Sequence, residues 1–290
     1  MTEAPERMLP LYEAKMIHQF DHRWATYEGG RARDMTGTEK SDPDHFGLPR
    51  YWVGEDQVES VLAERWDRDW ILGWRDIARA TDVRTTIAAI TGSGDSPEGG
   101  TLLMLPESGS ASAPCLVAAL NSLAFDFCAR QKVGGTHLKF FTMRQLPVPT
   151  PEAMSIPTSW DPESSHDEWI TLRVLELTYT DWDMQPFAED LDDTGAPFVW
   201  DPERRFLLRA ELDAAFFRLY GVVRADVDYI LDTFPIVRRK DEEAHGEYRT
   251  KRVILEVFDA MQRATDTGVA YQSVLDPAPS LGRRHPLRNR

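Results

Sequence analysis

At 290 residues with a net charge of −15, the chain is long enough to bury a sizeable core and too acidic to hold nucleic acid by its overall field. It is 42% hydrophobic and 28% charged, the balance of an ordinary globular protein. No apolar run reaches the ~20 residues of a bilayer helix, the opening MTEAPERMLP is no signal peptide, and two cysteines, Cys115 and Cys128, build neither a disulfide framework nor a four-cysteine zinc site, so a cytoplasmic, non-membrane protein is expected.

Residues 9–53 set Tyr12, Phe20, Trp24, Tyr27, Tyr51 and Trp52 among polar loops. That pattern predicts short strands around a polar, mobile insertion from Glu28 to Gly47. His18 and His22 stand four apart, which on a helix would share one face. Gln19 sits where a zinc-protease motif has Glu, and no third ligand is apparent, so no metal site is expected. Glu13-Ala14-Lys15 has the acid-x-lysine form of many nucleases. No aspartate precedes it, and it reads as structural. Gly54 to Ala63 predicts a helix. Trp66, Trp70 and Trp74 recur every four residues and predict an apolar face on the core. Arg75 to Thr81 reads as a polar, charged turn. Arg84 to Thr91 and Thr101 to Leu105 read as strands, with loops at Gly92 to Gly100 and Glu107 to Pro114.

Leu116, Ala119, Leu120, Leu123 and Phe127 predict one amphipathic helix over Leu116 to Arg130. The loop Gln131 to His137 follows, and then an apolar run, Leu138 to Met143, expected as a strand. Five prolines between residues 147 and 163 mark a boundary. The expected class is α+β, with a mixed unit over 1–150 and a mainly helical one over 151–290. The second unit has helices at His166 to Thr180, Asp201 to Gly221, Arg224 to Phe234 (ended by Pro235) and Arg249 to Ala264. Asp201 is the expected N-cap of the long helix and Pro202 its first residue. Arg283 to Arg290 reads as a frayed basic tail.

From Phe127 to Pro151 there is no acidic residue but there are four basic ones, Arg130, Lys132, Lys139 and Arg144. Gly134 and Gly135 let backbone N–H groups approach a ligand, and flanking cations suit an anionic one. The other reading is a solvated helix–strand connection. A second basic group, Arg238, Arg239 and Lys240 with Arg249, Lys251 and Arg252, brackets Asp241 to Glu247. It suits either phosphate contact or salt bridging with those acids.

The order Leu-Asn-Ser, apolar helix, basic Gly-Gly loop, short apolar run and Gln-Leu-Pro-x-Pro resembles the C-terminal specificity region of type IIG and related N6-adenine DNA methylases. Its Leu-Pro-x-Pro ending resembles the close of a recognition domain in type I specificity subunits. Pro10-Leu11-Tyr12-Glu13-Ala14-Lys15-Met16-Ile17, Pro49-Arg50-Tyr51-Trp52-Val53, Trp200-Asp201-Pro202-Glu203 and Tyr229-Ile230-Leu231-Asp232 are similar to other parts of that region. The likeness covers roughly residues 9 to 262.

The resemblance implies a target-recognition domain over 1–150 with double-stranded DNA as partner. It also implies an adenine methyltransferase catalytic partner that carries S-adenosylmethionine. Thr136, His137 and Lys139 would reach base edges, and Arg130 and Lys132 would lie on phosphates. The chain itself departs from the full family at the catalytic end. It contains no Pro-Pro pair, and hence no Asn/Asp-Pro-Pro-Tyr/Phe motif, and no glycine-rich cofactor loop follows a strand. The expected function is therefore a non-catalytic DNA reader in restriction-modification or phage defence, with no cofactor in this chain. A second reading is an acidic protein–protein adaptor that docks a catalytic partner and never touches DNA. A third, a DNA mimic, is disfavoured because 33 basic residues interrupt the carboxylates.

Overall fold

A computed structural model of the chain describes residues 6–92, 100–106 and 112–288. The protein is α+β, with small antiparallel sheets in its N-terminal part and a helical C-terminal region. Most of the expected loops at 92–100 and 107–114 lie outside the described residues. No helix among the described residues is long and apolar enough to cross a membrane.

Strand β1 (Met8–Leu11) pairs antiparallel with β4 (Tyr51–Gly54), Leu11 opposite Tyr51. Between them, β2 (Ala25–Glu28) and β3 (Arg31–Asp34) form a hairpin that turns through Gly29 and Gly30. Both glycines have positive φ, 57° and 78°, as a tight hairpin turn requires. The short helix α1 (Gly37–Lys40) starts with a capping box between Thr36 and Glu39. This insertion, expected to be mobile, is instead anchored. Lys40 is buried and its Nζ donates to Asp21 Oδ2 at 2.6 Å. The buried Arg23 guanidinium donates to the carbonyls of Lys40, Asp42, His45 and Thr180. A buried guanidinium must satisfy its donors, and it does so by holding this loop.

Helix α2 (Glu55–Leu62) follows as expected. The central sheet has strand order β6 (Ala88–Gly92), β5 (Trp70–Arg75), β7 (Thr101–Met104), all antiparallel. Trp70 and Trp74 are four apart on the middle strand, so they share one face, and both are fully buried. Their spacing marked an apolar face correctly, but it is a strand's face. The expected strand at Arg84 to Thr91 is shorter, because Arg84 and Thr85 are taken up by Asp126.

The expected single helix at Leu116 to Arg130 is two helices, α3 (Ala113–Asn121) and α4 (Leu123–Lys132). They break at Ser122, whose backbone is extended and whose hydroxyl accepts from Phe125 N as the cap of α4. Asn121 exchanges two hydrogen bonds with the Ala88 backbone of β6, and Asp213 accepts from Leu123 N. The expected strand at Leu138 to Met143 is also corrected. It is a one-turn helix, α5 (Phe140–Met143), and only His137 forms a β-bridge, to Ile77.

Beyond it come α6 (Pro151–Met154), α7 (His166–Thr178), α8 (Gln185–Glu189), α9 (Pro202–Leu219), α10 (Arg224–Asp232), α11 (Pro235–His245) and α12 (Arg249–Thr267). Asp201 Oδ1 accepts from Glu203 N and Arg204 N, the expected cap of α9. Pro235 opens a helix that sequence reading missed, because proline is as welcome at a helix's first position as it is disruptive inside one. The described part of the expected frayed tail is stitched down. Arg284 pairs with Asp193, and the backbone of 283–285 bonds to Pro197 and Val199. One buried cluster runs from Phe20 to Leu275 and takes in side chains from both sides of residue 150.

Candidate nucleic-acid interface

The loop after α4 is exposed and rigidly mounted. Val133 is buried, and its N–H closes the helix on Ala129 O. Gly134 to His137 then stand in solvent. The chain is drawn back onto the end of β5: Ala78 N donates to Thr136 O at 3.0 Å and Leu138 N to Asp76 O at 2.7 Å. Leu138 is fully buried, and its carbonyl accepts from Trp74 Nε1 at 2.8 Å. Helix α4 thus holds the start of the Gly-Gly turn, and Trp74 with the 76–78 segment that follows β5 holds its end. A Cβ built on Gly134 or Gly135 meets nothing within 4 Å, so the space above the turn is open.

The predicted cations divide into two kinds. Lys132 and Arg144 are exposed and hold no ion pair among the described residues, and neither does Arg79, next to the paired 76–78 segment. Arg130 is different. Its guanidinium donates to the carbonyls of Ala80, Asp82 and Val83 at 2.7–3.0 Å and lies over the Phe234 ring. It closes the 80–83 turn and is not offered to a phosphate. Lys139 Nζ and His137 Nδ1 share one oxygen of Asp76, at 2.6 and 3.1 Å. Sequence reading missed Asp76, which lies 61 residues from His137 along the chain. Both side chains are half exposed, so they are oriented by Asp76 and still reachable.

The second basic group is not a free cationic face. Arg238 pairs with Glu242 and Arg239 with Glu243 along α11. On α12, Arg249 pairs with Glu203, Lys251 with Asp228 and Asp232, and Arg252 with Glu247 and Glu256. Only Lys240 has no ion pair among the described residues. This is the salt-bridging alternative, and exposed pairs of this kind contribute little stability.

A cavity of about 220 Å³ lies between the Gln19 turn and helices α9, α11 and α12, where His18, Arg84, Arg209, Asp213 and Asp241 line it together with apolar side chains such as Phe206 and Ile254. Burial, with Arg75 and Arg209 nearby, pushes His18 down to about 3. It stacks on Trp24 and does not share a helix face with His22. His22, Asp181 and Asp183 place ligand atoms within 4.8 Å of one another. Arg23 Nε, however, lies 2.5 Å from Asp181 Oδ2, so a guanidinium already supplies the charge a metal would bring. Glu13, of the nuclease-like tripeptide, accepts from Tyr27 OH, a structural contact.

Burial raises Asp213 to about 6, against the pull of Arg84 and of Leu123 N. The folded state therefore holds a proton that the unfolded chain has released between about pH 4 and 6. Stability falls as pH rises through that window. Asp213→Asn stays neutral and still offers an oxygen to Leu123 N. It should gain up to about 2–3 kcal/mol at pH 8 and almost nothing at pH 4. Urea midpoints at the two pH values check this, and a variant less stable than wild type at pH 8 would refute it.

Compared with family models, curated proteins and solved structures, the chain matches none of them.

Proposed function

We propose that this chain is the sequence-reading, non-catalytic part of an N6-adenine DNA methyltransferase of bacterial restriction-modification or phage defence. The carrying observation is the segment 131–144. It contains no acidic residue, and its exposed turn, Gly134 to His137, is held by α4 at one end and by the segment after β5 at the other, with open space over two glycines and unpaired cations at Lys132 and Arg144. A turn of that kind brings backbone and short side chains to base edges while cations position it on phosphates. Thr136, His137 and Lys139 are the reading residues, and the Asp76 contact fixes the aim of the last two. Arg130, Arg238, Arg239, Arg249 and Lys251 have structural partners and drop out of the reading set. The helical region docks the catalytic partner, which holds S-adenosylmethionine.

Selection from a randomised pool of duplexes at about 0.1 M salt tests this reading. At that ionic strength the Debye length is about 10 Å, so distant carboxylates are screened while direct contacts survive. Enrichment of one motif is expected. Lys132→Ala should weaken binding to every duplex alike and lower the slope of log affinity against log salt by about one.

A second reading has its own observation. Because Arg238, Arg239, Arg249, Lys251 and Arg252 are all paired with acids, α11 and α12 present little free basic surface. An acidic adaptor that binds a protein partner alone would give no enriched motif and no salt-dependent DNA binding.

A further inference from the structure

The most exposed aromatic side chain of the proposed interface takes no part in base reading or phosphate contact. Phe141, 70% exposed, projects from α5 four residues after His137. Its neighbour Phe140 packs edge-on against Trp74 at 4.9 Å between ring centres, and Thr142 and Met143 are buried. The turn of helix is thus anchored through Thr142, Met143 and one edge of the half-exposed Phe140, and Phe141 is the ring that stands furthest out. Lys139 precedes Phe141 by two residues and Arg144 follows it by three. Ile77, across the bridge from His137, is 60% exposed beside them.

Resting on the DNA-reading proposal, we infer that Phe141 is a wedge that inserts between base pairs of duplex DNA at the bound site, partly unstacking and unwinding it. Three observations favour DNA over a protein as the occupant. Protein-docking patches are depleted of charge at their centre, whereas along the chain this ring is bracketed by Lys139, which is half exposed and shares Asp76 with His137, and by the unpaired Arg144, in a stretch free of acids from Phe127 to Pro151. An inserted side chain needs positive charge on both sides, where the phosphates flanking the opened step lie. It also needs a mount that does not yield, and Phe140 and Met143 supply one. Apolar wedges of this kind unstack a step and kink the duplex.

The test uses the full chain with closed circular plasmid DNA, which offers many sequences, and topoisomerase I at about 0.1 M salt. Bound wild-type protein should lower the linking number. Phe141→Ala should bind plasmid with the same salt slope and lose most of that change, while Phe141→Leu, still an apolar wedge, should keep much of it. The ring is exposed, so removing it leaves no core cavity. Plasmid bound by wild type without a topoisomer shift, or equal unwinding by Phe141→Ala, would overturn the wedge and leave the DNA-reading proposal standing. A wild-type chain that binds no DNA would overturn both.

Discussion

Glu211→Leu is expected to cost about 3–5 kcal/mol of stability. Glu211 is completely buried on α9 and accepts from Arg173 Nε at 2.7 Å, Tyr271 OH at 2.8 Å, Ser273 Oγ at 2.6 Å and Val274 N at 3.0 Å. One carboxylate therefore joins α7, α9 and the segment after α12. Arg173 is also buried, lies 3.1 Å above the centre of the Trp169 ring and donates to Trp169 O. Burial pulls its pKa down and Glu211 opposes that. Replacing Glu211 strands a buried guanidinium and leaves two hydroxyls and an amide without their acceptor. Arg173→Met with Glu211→Leu removes the stranded charge and should recover much of the loss. Urea unfolding of the two single variants and the double measures the coupling. A Glu211→Leu protein within 1 kcal/mol of wild type would show that the pair does not hold these elements together.

Gly135→Val is expected to abolish DNA binding and leave the fold unchanged. A Cβ at Gly135 touches nothing and its backbone is not in the left-handed region, so the side chain enters open solvent. The unfolding midpoint should stay within about 0.5 kcal/mol of wild type, as for other surface changes. What the branched side chain does occupy is the space through which the turn's N–H groups would approach a groove. Binding is measured on the duplex enriched from the randomised pool, with Gly135→Ala as the smaller step. Wild-type affinity in Gly135→Val would mean that the turn is a solvated connection and that the reading surface lies elsewhere.

The elements that could be read from the sequence were those whose cause is local. Asp201 and Pro202 start α9 because a cap needs only the next three residues, and Gly221, at φ 67°, follows its end for an equally local reason. The tryptophan spacing at 70 and 74 was legible as a buried face, but a four-residue interval fits one side of a helix or of a strand alike, and pairing with β6 and β7 decided for the strand. The break at Ser122 was not legible. The apolar spacing runs through it, and what stops the helix is Asn121 bonded to Ala88 and Asp213 bonded to Leu123, residues 33 and 90 positions away.

Charge was the least legible quantity. The acid-free stretch, the open glycine turn and the cations Lys132 and Arg144 belong to the sequence itself. That Arg130 closes a turn at 80–83, that Asp76 orients His137 and Lys139, and that α11 and α12 pair away their own basic residues are matters of tertiary contact. A cap or a period is specified by neighbours within a turn or two. The partner of a charged side chain is whichever group the folded chain brings within about 4 Å, which composition and spacing do not encode.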